Sequence, residues 1–186
     1  MTERSRLLDR GRALLVVVDV QMKLLPVIDG HERVTANCAR LIEGCRILDV
    51  PLVASEQYPK GLGPTVSAIT EALPSDGVDP IAKTLFSGYT PEVRDVLQTA
   101  DREQIIVIGI ESHVCVQQTV LDLLRVDYTV WVCADAVGSR RPSDREMALH
   151  RMRQEGAFVT TTESAIFELA RQAGTDQFKK ILEIVK

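Results

Sequence analysis

Ala13-Leu14-Leu15-Val16-Val17-Val18-Asp19-Val20-Gln21 is the stretch on which the fold turns. From Ala13 to Val18 every residue is apolar, with no alternation of apolar and polar positions. A strand that exposes one face to water alternates with a period of two. An unbroken Val/Leu run of this length reads instead as a strand buried on both faces, as in the middle of a parallel sheet. The run is interrupted by Asp19 and stops abruptly at Gln21.

Working outward, apolar runs alternate with amphipathic segments. A helix is expected over about His31 to Leu48, where Val34, Cys38, Leu41, Cys45 and Leu48 fall on one face. A short strand follows at Pro51 to Ser55, then a Gly- and Pro-rich loop from Tyr58 to Pro64, and a brief strand at Ile81 to Thr84. Thr90-Pro91 opens a helix that runs to about Ala100, with Thr as cap and Pro at the first position. Gln104 to Ile110 is a second fully apolar strand, followed by a helical pattern from about His113 to Arg125 and a strand from Tyr128 to Ala134. Ser143 to Glu146 forms a capping box whose helix closes at Gly156; Phe158 to Thr161 is a last strand, and two helices finish the chain. Strands alternating with helices predict an α/β fold, a parallel sheet covered on both faces in three layers. With no linker, repeat or low-complexity segment, residues 1–186 are read as one domain.

Composition narrows the function classes. A chain of 186 residues suits one buried core. Its net charge of -4 opposes a general nucleic-acid binder, which presents a basic face to phosphates. No apolar run approaches the ~20 residues that span a bilayer, and Met1 to Arg12 is charged without a signal peptide's apolar centre. The expectation is a cytoplasmic protein that acts on a small molecule, with no nucleic-acid or membrane partner. Among the four cysteines there is no C-x-x-C pair and no histidine at zinc-finger spacing, so free thiols are expected. Cys38, Cys45 and Cys133 fall in apolar patterns and read as core.

In an open parallel sheet, ligands bind beyond the carboxyl ends of the strands. That rule selects Asp19, Lys83 and Cys115, the last placed by Gly109-Ile-Glu-Ser-His-Val-Cys115 near a helix start. A helix N-terminus favours a thiolate, a neighbouring Asp takes the proton, and Lys fixes the carboxylate. Backbone N–H groups at the same turn are placed to receive an oxyanion. His113 reads as a pocket wall rather than a base, since residues two apart on a helix point in different directions. His31 and His150 fall on polar helix faces. Gln21, Tyr58, Phe86, Tyr89 and His113 are candidates for a substrate pocket, with core or interface packing the alternative for the three aromatic residues. Arg140 and Arg141 either meet an anionic substrate or sit on a solvated loop.

Several strings resemble the isochorismatase-like cysteine hydrolase superfamily, in particular its isochorismatase-domain-containing subgroup. These are Ala13 to Gln21 with its Asp-x-Gln ending, Glu56-Gln-Tyr-Pro-Lys-Gly-Leu-Gly63, Lys83-Thr-Leu-Phe-Ser87, Gly109 to Val116, and Asp135-Ala-Val-Gly-Ser-Arg140. The resemblance implies a three-layer α-β-α sandwich with a six-stranded parallel sheet, and an Asp–Lys–Cys triad falling on Asp19, Lys83 and Cys115. It also implies a non-proline cis peptide at Ile110–Glu111, with the N–H groups of Glu111 and Cys115 aimed at one oxyanion, and a homo-oligomer of two or more copies. Nicotinamidase-type members carry an Asp-x-His metal site after the second strand; Ser55-Glu56-Gln57-Tyr58-Pro59 has no such ligand set. No metal and no cofactor is therefore expected. Members that cleave isochorismate lack the cysteine, so retaining Cys115 points to acyl transfer, such as hydrolysis of a small amide-like C–N bond through a thioester. Two readings from other classes compete: a catalytically silent oligomeric or small-ligand-binding member, and a phospho-accepting receiver. Retention of all three triad residues opposes the first, and no Asp stands after the third strand to serve the second.

Overall fold

The computed structural model describes residues 7–74 and 78–186; of the charged opening Met1 to Arg12, residues 1–6 lie outside the described residues. Six parallel strands form the sheet, in the order β3-β2-β1-β4-β5-β6. They are β1 (Ala13–Val18), β2 (Leu52–Gln57), β3 (Ile81–Lys83), β4 (Gln104–Ile110), β5 (Thr129–Gly138) and β6 (Phe158–Thr160). The three-layer α/β sandwich read from the sequence is the fold observed. Every residue of β1 and β4 is buried, as their unalternating apolar runs require. Leu15 and Val17 face one core with α1 (His31–Ile47), α7 (Thr162–Ala170) and α8 (Asp176–Val185). Leu14, Val16 and Val18 face the other, with α4 (Pro91–Ala100), α5 (Gln117–Arg125) and α6 (Pro142–Gln154). Among the described residues no helix is long and apolar enough to cross a membrane.

Several boundaries differ from the sequence reading, each for a local reason. The Tyr58 to Pro64 segment contains a helical turn, α2 (Pro59–Leu62), because Pro59 fixes φ at its first position. A second turn, α3 (Ser67–Thr70), packs Ile69 into the core and has no sequence counterpart above. Helix α6 opens at Pro142 with Arg141 before it, so Ser143 lies inside the helix rather than capping it. Strand β5 continues past Ala134 to Gly138 through a bulge, with Val107 opposite Val132 and Gly109 opposite Val137. Polar side chains hold the bulged carbonyls: Asn37 Nδ2 donates to Asp135 O at 3.0 Å, Arg145 Nε to Val137 O at 3.0 Å, and the Arg145 guanidinium also to Ala134 O. The bulge lengthens the path from the sheet to Ser139 and Arg140.

The strand order reverses direction between β1 and β4, so a crevice opens between their carboxyl ends. Gly109 brings those strands together there. Its φ is +117°, and a Cβ at this position would lie 2.0 Å from Val18 O. Gly109→Ala is therefore expected to lose about 4 kcal/mol of stability or to fail to fold, since both strain and a backbone clash oppose it; a urea melt midpoint close to wild type would refute this.

Burial also pushes the thiols of Cys38, Cys45 and Cys133 up, Cys45 to about 12. Unfolded thiols release their protons from the ordinary value of 9.0, while the folded ones keep theirs. The native state thus binds more protons above that point, and stability falls as pH rises from 9.0 toward about 12. Chemical denaturation across this range should show the decline, lessened in Cys45→Ala relative to its own neutral-pH value.

Candidate active site

Three strands and one turn deliver the site. Asp19 follows β1 with φ +52°, a left-handed conformation that Asp tolerates better than most residues. Its backbone N–H donates to Ser55 O at 3.2 Å, and its carboxylate is wholly buried. Lys83 ends β3, two residues beyond the Ser55–Ile81 pairing and level with Gln57 of β2. Cys115 lies in a π-helical turn, Ser112–Val116, between β4 and α5, and the preceding Ile110–Glu111 peptide is cis.

Asp19 and Lys83 form a buried ion pair, with Lys83 Nζ 2.6 Å from Asp19 Oδ2 and their side chains 1% and 0% exposed. Taking two charges out of water costs several kcal/mol per ion unless the remaining valences are met. Here they are met. The Lys83 ammonium also donates to Gln57 Oε1 at 2.7 Å and to Leu85 O and Phe86 O at 3.1 Å each. Ser55 Oγ donates to the other Asp19 oxygen at 2.8 Å. An ammonium has three N–H groups, so four oxygen partners leave none for a substrate.

The Asp19 carboxylate lies close enough to the Cys115 thiol for its charge to act on it. Burial first, and the Asp19 charge second, push this thiol up to about 12; Lys83 opposes the shift and Glu111 adds to it. This corrects the sequence expectation that the helix start favours a resting thiolate. The turn is buried beside two carboxylates, and together they outweigh the dipole. At rest Cys115 is a thiol beside a carboxylate.

The expected pocket residues separate. Gln21 is fully buried, and its amide is spent on the backbone: Nε2 donates to Gln57 O at 3.0 Å and Gly63 O at 2.6 Å, and Oε1 accepts from Gln57 N at 2.8 Å. It braces the β2 end and the Tyr58–Pro64 loop and does not line a pocket. Tyr89 packs edge-on against Tyr128, ring centroids 6.4 Å apart. Tyr58 and Phe86 are each 55% exposed beyond the ends of β2 and β3. A cleft of about 470 Å³ lined by Tyr58, Lys83, Leu85 and Thr90 opens at the β3 edge, and neither Asp19 nor Cys115 lines it. On the opposite side Val27, His113, Arg140, Arg141 and Asp144 line one of about 310 Å³. His113 is engaged with Ser139 (Nδ1 to Oγ, 2.9 Å) and faces Asp144. Arg140 is tied to Glu111 Oε2 at 3.0 Å.

Sequence reasoning missed Ser55 and Gln57. They stand two apart on β2, so they share a face, and period-two spacing at the end of a buried strand was the available signal. Among the described residues no group of three or more His, Cys, Asp or Glu side chains is arranged to hold a metal ion.

Comparison with known proteins agrees with this fold. The family model for the Isochorismatase domain matches residues 13–164. Isochorismatase domain-containing protein 2 of Danio rerio is 42% identical over 182 residues, spanning 97% of this chain and 90% of its own length. The structure of the MAR1 ribonuclease from Caenorhabditis elegans superposes with a TM-score of 0.91 at 37% identity, covering 96% of this chain and 91% of that one. YcaC from Pseudomonas aeruginosa, solved with hexane-2,5-diol and covalent acrylamide, gives 0.89 at 25% identity, with 98% and 93% covered.

The charges around Cys115 set a measurable order. Asp19→Asn removes a raising charge and is expected to bring the thiol's ionisation midpoint below about 12, while Lys83→Met moves it further up. Lys83→Met also strands a buried carboxylate at a cost of about 3–5 kcal/mol. Thiolate absorbance titrations and urea melts check both, and an unmoved midpoint in Asp19→Asn would mean that the two side chains do not interact.

Proposed function

Because this chain belongs to the isochorismatase-domain family, we propose that it is a cysteine hydrolase that cleaves a small amide-like C–N bond through a thioester on Cys115. The observation that carries the reading is the Cys115 thiol beside Asp19, whose carboxylate is ion-paired with the buried Lys83. As Sγ bonds to the carbonyl carbon, its proton passes to Asp19, and the carbonyl electron pair moves onto oxygen. The backbone N–H groups of Glu111 and Cys115 are assigned to that oxyanion. Asp19 then protonates the departing nitrogen, the C–N bond breaks, and a thioester remains. Water gives a proton to Asp19 as it attacks the thioester; the C–S bond breaks and the proton returns to sulfur. Lys83 acts through Asp19, since its own donors are committed.

The proposed substrate contacts are Tyr58, Phe86 and His113 around the mouth. Tyr58, Leu85 and Phe86, beyond the ends of β2 and β3, are each more than half exposed, and an apolar surface of that kind supports a homo-oligomer, dimer or larger. Four free cysteines fit work in the cytoplasm. The C. elegans relative is named a ribonuclease, a different reaction; the net charge of -4 opposes a polyanionic substrate here.

Incubation with a panel of small primary amides, quenched in acid and mapped by mass spectrometry, is expected to trap an acyl adduct on Cys115 in wild type. Cys115→Ala should lack the adduct, and Asp19→Asn should accumulate it at least ~100-fold more slowly. Acrylamide, the adduct carried by the YcaC structure, serves as a covalent probe of the same sulfur. Turnover that survives Cys115→Ala would overturn the mechanism. Ligand binding without any adduct would favour the silent binding member, and release of RNA fragments would favour a nuclease.

A further inference from the structure

The nucleophile turn and the loop that caps Lys83 come from different crossovers, yet they meet at one buried hydroxyl. Thr119, in the first turn of α5, donates from Oγ1 to Cys115 O at 2.6 Å. The same oxygen accepts the backbone N–H of Gly88 at 2.7 Å. A hydroxyl has a single proton, so these two roles fix its rotor and exhaust its donor. Gly88 is buried, whereas Leu85 and Phe86 just before it are 62% and 55% exposed. The carbonyls of those two exposed residues nevertheless hold Lys83 Nζ. The place where that loop is fastened to the body of the fold therefore governs where the Lys83 acceptors stand.

We propose that Thr119 is a positioning residue of the candidate site, a bolt that fixes the Cys115 turn and the Lys83-capping loop in one register. Its hydroxyl sets the distance between the sulfur and the Asp19–Lys83 pair by holding the backbone of both sides, without touching a substrate. The site has no slack at this joint. A Cβ added to Gly88 would lie 3.1 Å from Thr119 Oγ1 and 3.5 Å from its methyl, with Ser55 Oγ at 3.9 Å. A Cβ at position 88 would thus press on Thr119 by a few tenths of an ångström, and its neighbours are the bolt and the serine that holds Asp19. The β-branch adds stiffness, since Thr has fewer χ1 states than Ser. This inference rests on the reading of Cys115 as the nucleophile.

The test uses the full chain with Thr119→Val, which keeps the shape and removes the hydroxyl, Thr119→Ser, which keeps the hydroxyl, and Gly88→Ala. Two quantities are read: the rate of Cys115 alkylation by iodoacetamide at neutral pH, located by peptide mapping, and the pH midpoint of Cys115 ionisation. Thr119→Val is expected to slow alkylation on the order of tenfold, the scale of a small misplacement of a reacting group. It should also lower the midpoint, because the sulfur leaves the carboxylate that raises it. Thr119→Ser should restore both, and Gly88→Ala should resemble Thr119→Val. Combined with Asp19→Asn, Thr119→Val should add little, since both act on the same pairing. A rate and midpoint within error of wild type in Thr119→Val, or failure of Thr119→Ser to restore them, would overturn the proposal. If Asp19→Asn leaves alkylation unchanged, the nucleophile reading falls instead, and the midpoint alone then decides whether Thr119 positions the sulfur. Should Thr119→Val not fold, Gly88→Ala and Thr119→Ser carry the comparison by the same two measurements.

Discussion

A carboxylate and an ammonium that are both out of water make demands on everything around them. The Asp19–Lys83 pair is enclosed at 2.6 Å, and a pair so enclosed stabilises nothing unless each remaining lone pair and proton finds a partner. The surrounding architecture reads as an answer to that demand. Ser55 and Gln57 on β2 lie between the two charges and satisfy one side of each. The loop after β3 turns back so that two of its carbonyls reach Lys83. Gln57 is fixed in turn, donating through Nε2 to Thr84 O while Gln21 grips its backbone. Ser55 is the second partner of Asp19, Gln57 and the loop carbonyls share the remaining Lys83 protons, and Gln21 fixes Gln57, so the β2 end, the β3 loop and the Gln21 turn are linked through one pair.

The same demand explains why the pair sits where the strand order reverses. There the connections leave β1 and β4 toward opposite edges of the sheet, and a crevice opens beyond the two carboxyl ends. Gly109 lets the strands approach below the crevice, and Asp19 in a left-handed conformation turns its carboxylate into it. The π-helical turn then carries Cys115 back over the end of β1. Stability and site geometry are coupled through backbone positions that carry no reactive group.

What was legible from residues alone follows from the length scale of each signal. Buried strands are read from runs of five to seven apolar residues; β4 was recovered with its ends intact, while the first run, read on to Val20, is a strand only as far as Val18. Asp19, Lys83 and Cys115 were legible because they interrupt or follow such runs. Gln21 occupied an equally conspicuous position and was misread, since a polar residue after a strand is spent as readily on the backbone as on a ligand. The β5 bulge was invisible because the bonds that hold it come from side chains outside the strand, Asn37 ninety-eight positions away and Arg145 in the following helix. Thr119 was missed for a related reason. A threonine inside an amphipathic helix has no local pattern that distinguishes a bolt from a surface hydroxyl, and its partner Gly88 is thirty-one positions away.

The direction of the Cys115 shift changes how the site has to work. A thiolate stored at rest would need a cationic surrounding stronger than the two carboxylates nearby, and Lys83 is already spent on one of them. A resting thiol avoids that cost. On the reading of Cys115 as a nucleophile, it also withholds the sulfur from adventitious electrophiles until a carbonyl is positioned to accept the electron pair. On the proposed reading the proton moves as the S–C bond forms, and the positive charge of Lys83 remains with the carboxylate throughout. The negative charge then passes from the carboxylate to the substrate oxyanion as the proton is relocated, so the net charge of site and substrate together stays constant. In a low-dielectric site, relocating a proton within a cluster is far less costly than creating a new charge. Reactivity under this arrangement depends on the distance and angle between sulfur and carboxylate more than on the acidity of the thiol. That is why a backbone fastening such as Thr119, and not a further charged group, is the kind of residue that such a site requires.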